Sequence, residues 1–128
     1  MKRLISTLIL TLIAVTSFAQ IQWYEATSFA SKPQPYGSWS AWEKSNVRMY
    51  INFSTDEIVI FSPTRQYYQV VDVMSPPYDA TGDQVKFKVI DRNGYYGYVR
   101  LRVEYNGNSQ LYVDFADLSI VYNVVKIE

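Results

Sequence analysis

From about residue 20 onward, apolar and polar residues alternate with a period of two. Val47, Met49, Ile51 and Phe53 are separated by Arg48, Tyr50 and Asn52, and Val85, Phe87 and Val89 by Lys86 and Lys88. Val99, Leu101 and Val103 alternate with Arg100, Arg102 and Glu104, and Leu111, Val113 and Phe115 with Tyr112 and Asp114. A period of two sends successive side chains to opposite faces of a strand. One apolar face and one polar face is the pattern of antiparallel strands packed on a single side. Helical spacing is almost absent. Strands are predicted near 22–30, 38–43, 46–53, 57–62, 66–74 and 119–126, with a three-stranded meander over 85–116. Pro and Gly clusters such as Lys32-Pro33-Gln34-Pro35, Ser62-Pro63-Thr64 and Ser75-Pro76-Pro77 separate them. The expected fold class is all-β, an antiparallel meander of about eight short strands forming a small barrel or a two-layer sandwich.

The short loops of the meander allow its register to be worked out. A three-residue loop Arg92-Asn93-Gly94, with Gly94 in the left-handed region, pairs Val89 with Gly97, Phe87 with Val99 and Val85 with Leu101. A two-residue Asn93-Gly94 turn would set Val89 against Tyr98 and break the apolar facing. This register also sets Lys86 opposite Arg100, a like-charge pair in need of relief. A loop at Asn106-Gly107-Asn108 then pairs Val103 with Leu111, Leu101 with Val113 and Val99 with Phe115, and brings Arg100 opposite Asp114. Two stretches lack polar alternation. Ile58-Val59-Ile60-Phe61 is apolar on both faces, and Tyr67 to Met74 is nearly so, as for a strand covered on both sides or one presenting an apolar face to a partner.

The N-terminal residues do not belong to this pattern. Lys2 and Arg3 precede an uncharged run from Leu4 to Phe18 and the small pair Ser17-x-Ala19, the three parts of a cleaved export signal. The run is shorter than the roughly 20 residues a spanning helix needs. Residues 1–19 are therefore expected to be removed, leaving 20–128 as a single all-β domain that is exported to the periplasm or beyond the cell, without membrane insertion. Lys2 and Arg3 leave with the signal, so the remainder carries ten basic and twelve acidic residues. Such a balance gives no electrostatic pull toward nucleic acid. The chain has no cysteine and no histidine. Disulfides, cysteine-histidine and serine-histidine catalysis and histidine-bound metals are thereby removed. No cofactor is implied. Asp79 and Asp83 could offer oxygen ligands to calcium but lack the ligand density of a dedicated loop. Asn52-Phe53-Ser54 matches a glycosylation acceptor inside a predicted strand and reads as coincidence.

All twelve tyrosines and all three tryptophans follow residue 19. A tyrosine needs a partner or water for its hydroxyl, so an excess points to half-wet positions. In the register above, Tyr95 and Tyr105 face inward near strand ends, and Gly97 leaves space beside Val89. Tyr96, Tyr98, Arg100 and Arg102 line the outer face beside Tyr112, an aromatic and cationic stripe suited to stacking or to recognition. Pro35-Tyr36-Gly37-Ser38-Trp39-Ser40-Ala41-Trp42 forms a second aromatic cluster. Its Gly37-x-Trp39 resembles the Gly-x-Trp signature of lipocalin-like barrels. The resemblance implies a barrel plugged at one end by Trp39, with an internal ligand site at the opposite end. Trp42, at odd spacing from Trp39, would face the other way.

The expected function is that of an exported, non-enzymatic binding domain. It would recognise a small apolar or glycan ligand through a Tyr/Trp-rich surface, with Trp39, Trp42, Tyr96, Tyr98, Arg100, Arg102 and Tyr112 as the binding residues. The alternative is a protein-interaction or cell-surface module docking through the outer Tyr/Arg face. The two readings part on whether the barrel encloses an apolar pocket of a few hundred Å³.

Overall fold

The computed structural model describes residues 21–74, 82–104 and 108–127, with backbone alone at 82, 83 and 104. Among these, the chain forms β1 (Ile21–Pro33), β2 (Glu43–Lys44), β3 (Arg48–Asn52), β4 (Glu57–Ile60), β5 (Gln66–Met74), β6 (Gly82–Asp91), β7 (Tyr96–Glu104), β8 (Ser109–Asp114) and β9 (Leu118–Lys126). From β3 to β9 every strand pairs antiparallel with the next, β9 returns to β1, and β1 pairs with β3. Eight strands therefore close into a barrel, and β2 is an extra strand on β1. Closure gives the strand edges partners that an open sheet would leave to solvent. The export signal, Tyr105, Asp79 and the turn residues Asn106 and Gly107 lie outside the described residues.

The interior is filled from the alternating inner faces. Met49, Ile51, Ile58, Ile60, Phe87, Val89, Val99 and Leu111 are all buried in one core cluster. Asn52 sets the β3–β4 turn, its Oδ1 accepting the amides of Ser54 at 3.0 Å and Thr55 at 3.2 Å. The Asn52-Phe53-Ser54 triplet is thus used as a local turn cap. Ile58, Val59 and Ile60 are buried on both faces, as their lack of alternation predicts. Outside the barrel Val59 lies between Tyr50 and Tyr67 on the neighbouring strands. Trp23, Tyr50 and Phe61 pack together on the same outer side, with ring centroids 5.0 to 6.0 Å apart.

The β6–β7 hairpin has the predicted register, including Lys86 opposite Arg100, and Gly94 takes a φ of 87°. The like-charge pair is relieved on both sides. Lys86 lies over the Tyr98 ring at 4.4 Å, and Arg100 lies over Tyr112 at 4.1 Å. The β7–β8 register differs from the expected one by two residues: Leu101 faces Leu111, Val99 faces Val113, and Arg100 faces Tyr112. A slip of two leaves every side chain on its own face, so alternation alone does not decide it. Gly97 does. A Cβ at this position would stand 2.7 Å from both the Asp114 carbonyl oxygen and the Phe115 ring. The space left by Gly97 is occupied by Phe115, where the sequence suggested room beside Val89.

Arg100 still reaches Asp114, diagonally, with Nε to Oδ2 at 2.8 Å. Arg100→Asp is expected to destabilise the barrel modestly, and Asp114→Arg in the same chain to recover part of the loss. A double-mutant cycle in urea should read a coupling of about 0.2–1 kcal/mol, the range for a partly exposed cross-strand pair. No coupling would mean that this contact contributes nothing to folding.

Three further expectations need correction. Of the strand predicted at 38–43, only Glu43 pairs as a strand, together with Lys44 beyond it. Residues 37–42 run beside β1, held by Ser40 N–H donating to the Ser31 carbonyl at 2.8 Å and Ser31 N–H donating to Ser40 Oγ at 3.0 Å. Gly37 serves the turn before this segment: its N–H bonds the Pro33 carbonyl at 2.8 Å, and a Cβ would run into Pro33. Trp39 is 43% exposed and Trp42 51% exposed, so neither plugs the barrel. Both stand outside it, and the Lys32 ammonium lies over the Trp39 ring at 5.1 Å. Tyr95, expected to close the core, is 68% exposed. It sits past the last β6–β7 pair, where the wall has ended.

β1 is irregular at one point. A bulge lies between Ala26 and Ser28 in its pairing with β9. Before it Tyr24 and Ala26 face the core, and after it Phe29 packs against the core.

Candidate functional site: a cup at one end of the barrel

Because the strands run alternately up and down, the segments that follow β1, β4, β6 and β8 all emerge at one end. Those segments surround an open-mouthed cavity of about 970 Å³. Its wall is mainly apolar, with Phe29, Val113, Phe115 and Ile120 from the inner faces and Pro63 and Leu118 from the rim. The cup opens at the end where the Trp39 segment departs from β1. Ser31 and Asp117, which bond that segment's backbone, are themselves cup residues. The resemblance to lipocalin-like barrels implied the opposite end.

A hydrogen-bonded relay spans the bore from β5 to β9, which are not neighbours in the barrel. The Tyr68 hydroxyl donates to Gln66 Oε1 at 2.6 Å, and Gln66 Nε2 donates to Tyr122 Oη at 3.0 Å and to Ser62 Oγ at 2.9 Å. Ser62 Oγ donates in turn to the Thr64 carbonyl at 2.6 Å. The directions are mutually consistent: both amide hydrogens of Gln66 are used, and its carbonyl takes the Tyr68 proton. Burial pushes the hydroxyl pKa of Tyr68 upward, helped by Tyr122 and Asp91. Burial also raises that of Tyr122, against a smaller lowering by the Gln66 hydrogen bond. Both phenols therefore remain protonated well past neutral pH.

The charges at the mouth are distributed unevenly. The cup is lined by two carboxylates, Asp91 and Asp117, and among the described residues by no lysine or arginine. Asp91 Oδ1 accepts the amides of Asn93 and Tyr95, both at 2.9 Å, and so shapes the β6–β7 turn. The cations of the mouth segments lie over outer-face rings: Arg65 over Phe61 at 4.6 Å, Arg92 over Tyr67 at 3.7 Å, and Lys32 over Trp39.

The residues singled out from sequence form a second feature. Tyr98, Arg100 and Tyr112 lie together on the outer face of β7 and β8, with Arg102 opposite Gln110 further along. Lys88 lies over Tyr96 at 5.1 Å, so the stripe is a ladder of cations on rings. Tyr96 stands where the stripe meets the cup rim and lines both. Trp39 and Trp42 belong to neither the ladder nor the cup wall.

Sequence reasoning missed Phe29, Gln66, Tyr68, Phe115 and Tyr122. One signal was available: Gln66 and Tyr68 are two apart, hence on the same face, and a buried tyrosine needs a partner such as an amide. Comparison of the chain with protein-family models, curated proteins and solved structures gave no match, so the fold and the cup stand on the chain's own geometry.

Proposed function

We propose that this protein binds a small, predominantly apolar ligand in the cup and carries out no reaction on it. The observation that supports this reading is the cavity itself. About 970 Å³ lies near the top of the range of small-molecule sites, and the apolar wall with one polar relay matches their usual composition. An eight-stranded meander barrel with a site at one end is also the lipocalin-like arrangement to which Gly37-x-Trp39 pointed, although Trp39 itself does not plug it. We read the protein as exported, on the basis of the Lys2-Arg3 start and the apolar run after it. A second reading, docking of a glycan or protein on the outer face, is favoured by the ladder of Tyr96, Tyr98 and Tyr112 with Lys88, Lys86 and Arg100.

One experiment addresses both. Ile120 lines the cup and is only partly buried, so Ile120→Trp should project an indole into it and obstruct a ligand without overpacking the core. Binding of an uncharged environment-sensitive fluorophore is expected to fall at least tenfold in Ile120→Trp, with the melting temperature within a few degrees of wild type. The double change Tyr98→Ser and Tyr112→Ser, at stripe residues that do not line the cup, should leave that binding within about threefold. The opposite pattern, loss on the outer face and none in the cup, would move the site to the stripe.

A further inference from the structure

The cup has more than shape, and its electrostatics select among apolar ligands. The carboxylates Asp91 and Asp117 are the charged groups of its described lining. Arg65, Arg92 and Lys32 come from the segments around the mouth, yet each lies over an aromatic ring outside the barrel. An anionic head group entering the cup would lose its hydration and meet acids without gaining a cation. An uncharged head group would not. The relay also leaves one group unused. Tyr122 is 4% exposed and lines the cup, and its oxygen accepts from Gln66 Nε2, while its own hydrogen has no acceptor among the described residues. A buried hydroxyl with its donor open is suited to a ligand oxygen.

We propose that the cup selects an uncharged amphiphile, an apolar body bearing an alcohol, ketone or ester oxygen that accepts from Tyr122, and discriminates against the corresponding carboxylate. This rests on the reading of the cup as a ligand site. The relay fixes the orientation of the donor, because Gln66 is itself held by Tyr68 and Ser62. The head group would thus lie against the Gln66–Tyr122 bridge that spans the bore from β5 to β9, with the apolar body against Phe29, Val113 and Phe115.

The test uses N-phenyl-1-naphthylamine, an uncharged fluorophore, as a displaceable probe on the full chain at pH 7.5. The competitors are 1-dodecanol and dodecanoate, the latter below its micellar concentration. Dodecanol is expected to displace the probe at a concentration at least about tenfold lower than dodecanoate. Tyr122→Phe, which keeps the ring, should weaken dodecanol about three- to tenfold, the worth of one hydrogen bond, and leave probe affinity within twofold. Displacement by dodecanoate as good as by dodecanol, with the probe still bound, overturns the selectivity while the cup remains a ligand site. An equal loss of probe and dodecanol in Tyr122→Phe overturns the assignment of Tyr122 as the reader of the ligand oxygen. If neither the probe nor dodecanol binds wild type, the reading of the cup fails and the selectivity falls with it.

Discussion

Phe87→Ala is expected to remove about 3–5 kcal/mol of stability, about a fifth or more of what a domain of this size possesses. Phe87 has 0% exposure, faces Val99 on one neighbouring strand and Val73 on the other, and lies in the core cluster. The loss has two parts, the transfer free energy of the ring and the cavity left where strands on both sides are fixed by their ladders. A cup that could collapse to fill the hole would soften the second part, but Phe87 does not line the cup. Urea denaturation of wild type and variant measures the difference. A loss under 1 kcal/mol would mean that the centre of the barrel is far more plastic than its packing indicates. Tyr98→Ser is a control on the adjacent strand, on the outer face, and should cost much less.

The protein should also be unusually sensitive to alkali, through its buried tyrosines. Burial raises the pKa of Tyr24 from 10.0 to about 12, and it raises those of Tyr68 and Tyr122 as well. The unfolded chain gives up these protons near pH 10, while the folded one retains them. Above pH 10 the unfolded state therefore binds fewer protons, and stability falls as pH rises toward the folded values. Each fully retained proton costs roughly 1.4 kcal/mol per pH unit. Tyr24 alone removes roughly 3 kcal/mol by about pH 12, and Tyr68 and Tyr122 act in the same direction. The tyrosinate band should accordingly develop in two stages, with the exposed phenols titrating first and a cooperative step following as the fold opens. Circular dichroism should change with the second stage alone. A single smooth titration with no loss of structure up to pH 12 would contradict the burial of these hydroxyls.

How far the sequence reveals this protein depends on which property is asked for. The alternation at 85–104 was sufficient to set a register, because a one-residue error would have turned Phe87 and Val99 to solvent. Alternation could not separate two registers that differ by two residues, and the Arg100–Asp114 attraction misled because it can be met diagonally as well as directly. The deciding contact, Phe115 over the bare backbone of Gly97, is a property of volume and leaves no periodic trace. The same holds for the Trp39 segment. Its aromatic residues look like core in the sequence, yet the turn at Gln34 to Gly37 sends them back along the outside of β1. The cup was the least legible feature of all, since it is made by space that inward residues do not fill and by loops that converge only when the barrel closes.

The bulge in β1 gives the mouth of the barrel a phase of its own. Read as a regular strand from Tyr24, the chain would send Ser28, Ala30 and Lys32 inward and turn Phe29 and Ser31 to solvent. The surplus residue, Thr27, absorbs one step, so the same strand presents Tyr24 and Ala26 at the closed end and Phe29 and Ser31 at the cup. In genetic terms β1 carries one codon more than a regular strand would need over the same span. Losing Thr27 would straighten the strand and keep every side chain on its present face, whereas a codon lost between Ser28 and Lys32 would invert the residues after it. Gains and losses of single residues in this short stretch are therefore a means of rewriting the lining of the cup while leaving the packed end of the barrel unchanged.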